Sequence, residues 1–267
     1  MANYLVIGGT GVMGKAAMEA VRETYGKDAH IIANWYAKED TGIEIEGADQ
    51  TVFGDVTDPK CREQLKQAGG GEFEYLFYAT ALGAVGFAIK ETTPEQIKDS
   101  NRVSFDPMVA LEQEMDIGTV VSYSTFYTTR HQLGSYGAMG YSKEALEKYT
   151  VEPGKSKHAC IRAGLFESQS SRGIKLLLRK TAKDLNNLRD PLIRSYFEGV
   201  STKDGVDNYL NGIIQEEKEL FGDSPTREAN LKQAHLELLK ATPPVFVNVC
   251  GAKIWLTHEP LLLKDHI

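Results

Sequence analysis

Asn3-Tyr4-Leu5-Val6-Ile7-Gly8-Gly9-Thr10-Gly11-Val12-Met13-Gly14-Lys15-Ala16-Ala17 decides the reading of this chain. The apolar run 3–7 reads as a strand, and residues 15–25 read as a helix with Ala16, Ala17, Ala20 and Val21 on one face. Between them Gly9, Gly11 and Gly14 satisfy G-x-G-x-x-G, while Gly8, Gly11 and Gly14 satisfy G-x-x-G-x-x-G. The early glycines permit a tight turn and let backbone N–H groups approach a pyrophosphate. The last one lets helix and strand pack closely. In this strand–loop–helix context the motif predicts a dinucleotide site over Gly8, Gly9, Thr10, Gly11, Val12, Met13 and Gly14. The competing reading is a purely structural turn.

Working outward, β-rich runs at 30–35, 50–53, 75–80, 119–124 and 158–162 alternate with helical stretches at 60–68, 94–115 and 143–149, the long one interrupted by Pro107. Strands separated by helices imply βαβ units and a parallel sheet. The pattern then changes. Residues 168–242 carry almost no strand signal and hold amphipathic helices at 173–183, 191–197, 206–221 and 226–240, before a last strand at 245–250. The expectation is a single α/β domain over 1–267, a doubly wound parallel sheet of the Rossmann type, with a helical substrate-binding insert over 166–242 before the last strand.

Composition is that of a globular chain: 267 residues, 42% hydrophobic and 25% charged, enough to bury a core without disulfides or a structural metal. With 30 basic and 37 acidic residues the formal charge is −7, which gives no support to a nucleic-acid partner. No apolar run approaches the length of a membrane span, and the N-terminus has no basic region followed by an apolar stretch. Cys61, Cys160 and Cys250 lie far apart, form no C-x-x-C pair and read as buried small side chains, which fits a reducing cytoplasm. No two of the six histidines are spaced i, i+4, so no metal site is expected. His131 reads as an exposed loop histidine, or as one lining the pocket ahead of Tyr136.

The second strand of a dinucleotide fold normally ends in an acidic residue that binds the adenosine ribose. Here it runs Asn34-Trp35-Tyr36-Ala37-Lys38, with no carboxylate at that end. Lys38 can instead meet a 2′-phosphate, which favours NADP(H) over NAD(H); its other reading is a solvated lysine. Asp55, followed by Val56, closes the third strand and can accept a hydrogen bond from the adenine amino group, or Asp55 or Thr57 can cap the next helix.

These features, with Asn101, Ser142-Lys143-Glu144-Ala145-Leu146, Ala163-Gly164 and Val247-Asn248-Val249-Cys250-Gly251, resemble the short-chain dehydrogenase/reductase superfamily over most of the chain outside the insert. The resemblance implies that Lys143 holds the nicotinamide ribose and lowers the pKa of a tyrosine. It also implies that Ala79, Thr80, Ala81, Asn101, Ala163 and Gly164 line the cofactor site. The superfamily tyrosine lies four residues before the lysine, and that position is Met139. Tyr136 lies seven before it, in Tyr136-Gly137-Ala138-Met139-Gly140-Tyr141-Ser142-Lys143. This Tyr-x6-Lys spacing, with Phe126 and Tyr127 ten and nine residues ahead, resembles the enoyl-acyl carrier protein reductase branch. So does Gly173-Ile174-Lys175 in the insert.

The implied reaction is NAD(P)H-dependent reduction of the C=C bond of an acyl thioester, carried on coenzyme A or an acyl carrier protein. Tyr136 and Lys143 are then catalytic, with Tyr127 and Phe126 beside them, and homo-oligomers form through the fourth and fifth helices. Two features depart from that branch: the G-x-x-G-x-x-G loop, and Leu165 where a proline is usual. A carbonyl reductase or alcohol dehydrogenase of the same fold, and a non-catalytic NADP-binding sensor, are the other readings.

Overall fold

The computed structural model describes residues 1–267, apart from the side chains of Gln169 and Ser170. In chain order the elements are β1 (Ala2–Ile7), α1 (Val12–Tyr25), β2 (Ala29–Trp35), β3 (Gln50–Phe53), α2 (Pro59–Ala68), β4 (Glu72–Tyr78), α3 (Pro94–Ser104), α4 (Asp106–Glu114), β5 (Asp116–Thr125), α5 (Arg130–Ser135), α6 (Gly137–Val151), β6 (Lys157–Ala163), α7 (Gln169–Thr181), α8 (Pro191–Ser195), α9 (Thr202–Phe221), α10 (Glu228–Lys240), β7 (Val245–Cys250) and β8 (Lys253–Thr257). The strands form one sheet in the order β3-β2-β1-β4-β5-β6-β7-β8. All neighbours are parallel except β7 and β8. The expected doubly wound sheet is therefore present.

Period-two alternation assigns the faces of the sheet. Tyr4, Val6, Ile31, Ala33 and Phe77 pack with α1 (Ala16, Ala17, Met18, Val21) and α10 (Leu231, Ala234, Leu238). Leu5, Ile7, Ile32, Leu76 and Tyr78 turn the other way onto α2 (Cys61, Leu65), α4 (Met108, Leu111) and Leu146 of α6. A separate cluster joins α7, α8 and α9 through Leu178, Ile193, Phe197, Val206, Tyr209 and Ile213. Within 166–242, then, α7–α9 share their own apolar core while α10 lies in the sheet layer.

The expected helix 94–115 is two helices. Thr93 opens α3 with a capping box to Gln96, and Pro107 sits in the first turn of α4, where its missing N–H costs nothing. The helix expected at 143–149 begins earlier, at Gly137. Two elements had no clear signal: the short helix α5, and β8, whose side chains are only half covered. The cap of α2 is Asp58, whose side chain accepts from Lys60 N–H, rather than Asp55 or Thr57. All three cysteines are free and buried, as expected.

The connection from β2 to β3 contains no helix. It crosses the α1 side of the sheet as an irregular segment whose Ile45 is buried. Arg22 of α1 fastens its end, donating to Asp49 at 2.7 Å and to the Gly47 carbonyl at 3.3 Å, while the same Asp49 carboxylate accepts from Ile31 N–H at 2.8 Å.

Away from the glycine loop, Glu112 of α4 is buried and accepts from His158 Nε2 at 3.0 Å, Tyr149 hydroxyl at 2.6 Å and Ser156 N–H at 3.0 Å. Burial alone would raise its pKa; these donors, His158 foremost, outweigh burial and hold it at about 2, against an ordinary 4.5. The sign follows: the stabilisation is complete above about 4.5 and is lost as pH falls through about 2. Glu112→Gln is expected to cost about 2 kcal/mol at neutral pH. In urea melts the deficit closes toward acid pH; a deficit that stays constant with pH would refute the assignment.

Candidate active site

The glycine loop lies at the carboxyl ends of the strands, where open α/β sheets bind ligands. Gly8 has φ +79°, and a Cβ there would stand 2.8 Å from the Ala79 carbonyl oxygen; one on Gly14 would stand 2.4 Å from the Gly8 carbonyl oxygen. Both contacts are with backbone and cannot yield. Gly9 N–H donates to Asn34 O at 2.8 Å, and Gly11 caps α1 without any side-chain hydrogen bond. The first N–H groups of α1, on Val12, Met13 and Gly14, thus have no intrahelical acceptor and point out of the helix end. A bare helix N-terminus behind a turn too tight for side chains fits a dinucleotide pyrophosphate. Thr10 is exposed at the tip of this turn.

Around the loop the predicted cofactor residues divide. Asn34 is buried, and its amide donates to Val52 O at 3.2 Å and Gly54 O at 3.0 Å, so it stitches β2 to β3. Trp35 is buried against Phe53, with ring centroids 4.9 Å apart. Lys38 is exposed. The irregular connection beyond it bounds a cleft of about 850 Å³ that Trp35 and Phe53 share with Asp40, Glu44, Glu46 and Asp49. Asp55 is half-buried and turns the chain by accepting from Thr57 N–H at 2.9 Å; Val56 beneath it is buried, and its carbonyl accepts from Arg62. Ala79 extends β4 by donating to Ile7 O at 2.9 Å, and Thr80 and Ala81 continue it half-buried. Gly164 donates to Val249 O at 2.8 Å, which fixes the turn after Ala163. Just beyond, Leu165 N–H donates at 2.8 Å to Glu217 of α9, a buried carboxylate that sequence reasoning missed.

Tyr136 is the hinge residue between α5 and α6. The following Gly137 has φ +48°, and a Cβ there would come within 2.5 Å of the Ala84 carbonyl oxygen. The loop after β4 runs alongside: Gly86 N–H donates to Ser135 O at 2.7 Å, Gly137 N–H to Phe87 O at 3.0 Å and Ala138 N–H to Ala84 O at 2.9 Å. The Tyr136 side chain packs against the cluster of Ile89, Tyr127 and Leu263, and burial pushes its hydroxyl above the ordinary range.

Lys143 lies seven residues on, at the end of the second turn of α6 and about 10 Å along the axis. It is 7% exposed, and its ammonium donates to the Tyr123 carbonyl at 2.8 Å. Burial lowers its pKa to about 8 against the opposing influence of Cys160 and Glu147. Asn101 joins this helix from α3, accepting from Ser142 hydroxyl at 2.7 Å. Tyr136 thus caps the start of α6 and packs near Ile89, Tyr127 and Leu263, Lys143 lies two turns into that helix against β5, and the two are not a hydrogen-bonded pair.

Phe126 and Tyr127 are placed differently. Phe126 stacks on Phe221 at 4.1 Å and on Trp255 at 5.8 Å. Tyr127 is fully buried beside Ile89 and Leu263, and its hydroxyl donates to the Leu261 carbonyl. Both are taken up by packing in the body of the protein. His131, expected to be exposed, is instead buried, with hydrogen bonds to two residues of the insert. Sequence spacing could not show this, because both partners are more than sixty residues away. Among the described residues no group of three or more His, Cys, Asp or Glu is placed to hold a metal ion, and no helix is long and apolar enough to cross a membrane.

No family model and no curated protein matches the sequence. Solved structures do match. A short-chain dehydrogenase family protein from Francisella tularensis aligns with a TM-score of 0.64 at 19% identity, covering 94% of this chain and 98% of that one. A small-chain dehydrogenase solved in complex with NADPH aligns at 0.59 and 13% identity, covering 94% and 97%. The NADH-dependent enoyl-acyl carrier protein reductase of Aquifex aeolicus aligns at 0.54 and 18% identity, covering 82% and 90%. At these identities the likeness is one of fold: the chain has the Rossmann-like architecture of the short-chain dehydrogenases/reductases.

Proposed function

We propose that this chain is an NAD(P)H-dependent oxidoreductase that reduces the C=C bond of an enoyl thioester. The observation that carries the reading is the pairing of a side-chain-free phosphate turn with Tyr136 at the start of α6 and Lys143 seven residues on in that helix, a spacing of about two turns. A reduced nicotinamide, when bound, supplies the hydride that the β-carbon of the substrate accepts. Negative charge then develops on the thioester oxygen, Tyr136 donates a hydrogen bond to that oxygen, and the resulting enolate is quenched by a proton taken up from water at the α-carbon. The high pKa of its hydroxyl keeps it in the donor form across the neutral range. Lys143 has three N–H donors, of which the Tyr123 carbonyl takes one; the others orient the ribose hydroxyls and bring positive charge near the oxyanion. The Val12, Met13 and Gly14 N–H groups hold the pyrophosphate. The helices α7–α9 serve as the substrate lid, and an acyl carrier protein or coenzyme A carries the acyl group.

For the cofactor, Lys38 favours NADPH through its 2′-phosphate, while Asp40, Glu44 and Glu46 in the same connection act against that charge. A second reading, a non-catalytic NADP-binding sensor, draws on Lys143 being engaged with Tyr123 and not with Tyr136.

One assay separates the readings: oxidation of NADPH, and of NADH, in the presence of an enoyl thioester or the matching β-keto thioester. Turnover of the enoyl substrate, faster with NADPH, is expected. Turnover of the keto substrate alone identifies a carbonyl reductase, and cofactor binding without turnover of either identifies the sensor.

A further inference from the structure

The six-residue helix α5 ends on Tyr136, whose N–H donates to the Gln132 carbonyl at 2.8 Å. The side-chain hydrogen bonds that reach α5 from other elements come from the insert, while the loop after β4 bonds its backbone through Gly86 N–H. Glu216 of α9 accepts from Arg130 N–H at 2.6 Å, from His131 N–H at 3.1 Å and from His131 Nδ1 at 2.5 Å. Asp190, which caps α8, binds the Arg130 guanidinium through both oxygens at 2.9 and 3.1 Å. Two tyrosines complete the seam: Tyr196 at 2.8 Å from His131 Nε2, and Tyr209 at 2.5 Å from the Ser135 hydroxyl.

The neighbours fix the direction of two of these bonds. A carboxylate only accepts, so His131 Nδ1 donates to Glu216, while its Nε2 shares a hydrogen bond with the Tyr196 hydroxyl. The Ser135 hydroxyl donates to the His131 carbonyl at 2.7 Å and therefore accepts from Tyr209. Tyr209 is thus a donor reaching from the insert into α5, and Tyr196 is hydrogen-bonded to it through His131. The packing leaves no slack. A Cβ on Gly212 of α9 would lie 2.3 Å from the Tyr196 oxygen and 2.6 Å from His131 Nε2, and one on Gly134 of α5 would lie 2.8 Å from Ile193.

We infer that Tyr196, Tyr209, His131 and Ser135 are positioning residues: the loop after β4 holds one side of the Tyr136 backbone, and docking of α8 and α9 on α5 fixes the other, so the donor is fully in place only while the insert is seated. A substrate-covering element and a hydrogen-bond donor that share one short rigid helix move together. The catalytic half of this inference rests on Tyr136 being the donor of the proposed reaction; the mechanical half does not.

The test uses the full chain and three variants. Tyr209→Phe removes one hydrogen bond and keeps the ring. Tyr196→Phe does the same at a half-buried site, should the first variant fold poorly. Arg194→Ala, which breaks only an exposed pair with Glu198 on α8, is the reference. Amide hydrogen exchange is followed over α5, residues 135–138 and α9, and kinetics are measured with crotonyl-coenzyme A and NADPH.

The expected result is that each Tyr→Phe change lowers exchange protection of residues 135–138 in step with that of α9. It also lowers kcat about tenfold with the KM for NADPH unchanged. Adding Ser135→Ala to Tyr209→Phe then costs little more. Protection of residues 135–138 at the parental level while that of α9 falls overturns the inference, whatever the kinetics. So does an Arg194→Ala variant that behaves like the tyrosine variants. If protection falls in step but the parent chain does not reduce crotonyl-coenzyme A, the coupling is supported and the reaction assigned above is what fails.

Discussion

Tyr136→Phe is expected to lower turnover of an enoyl thioester by about a hundredfold or more while leaving NADPH affinity unchanged. The substitution removes one oxygen from a side chain whose backbone is held by the loop after β4, through Gly86, Phe87 and Ala84. The fold therefore has little reason to respond, and the change reports on chemistry alone. Loss of a single donor to a developing oxyanion in a water-poor site is worth on the order of 3 kcal/mol, which is the expected factor. Residual activity should keep the alkaline limb that Lys143 imposes. With its pKa lowered by burial to about 8, its charge is present at neutral pH and disappears as pH rises through that value. Steady-state kinetics across pH and titration of NADPH decide the matter. Full activity in the variant removes Tyr136 from the mechanism, and loss of NADPH binding makes it a structural residue.

The second large effect falls on the cofactor. Gly14→Val is expected to weaken NADPH binding beyond about a hundredfold, measured by calorimetry. The reason is geometric. A Cβ at Gly14 meets the Gly8 carbonyl at 2.4 Å and Gly9 Cα at 2.9 Å, and both belong to the turn that must stay narrow for backbone N–H groups to reach a phosphate. Gly11→Ala is the graded comparison, since its nearest atom is the same carbonyl at 3.3 Å. A few-tenths shift absorbs that contact, and a loss of only a few-fold is expected. Equal losses in the two variants, or none in either, would show that the turn does not bind phosphate.

How much of this was legible in the chain follows from how local each signal is. The glycine loop is a single stretch whose turn, N–H groups and helix start are all encoded within a dozen residues, so it could be read directly. The sheet followed from β-rich runs alternating with helices. What could not be read depends on partners distant in sequence. Gly137 is visibly a glycine, but the reason is the Ala84 carbonyl, brought beside it by the loop after β4. His131 looks like a loop histidine until Glu216 is folded onto it, 85 residues later. Phe126 and Tyr127 have the spacing of site aromatics, yet their partners Phe221, Trp255 and Leu261 come from the far end of the chain and draw them into the interior. The lysine–tyrosine spacing was legible; the engagement of Lys143 with Tyr123 was not, because it runs from a helix to a strand carbonyl.

The segment joining β2 to β3 has a consequence for how this protein can change. A helix in that place would store its shape in its own ladder of hydrogen bonds, and each substitution would be felt along it. Here the shape is held at one end by the Arg22 guanidinium and in the middle by the buried Ile45. The exposed residues between carry almost no structural duty, so their charges can be exchanged without disturbing the register of the sheet or the glycine turn. Under the proposed function, variation among them retunes the preference for one nicotinamide cofactor over the other while the rest of the molecule stays as it is, which makes this the most adaptable stretch of the cleft.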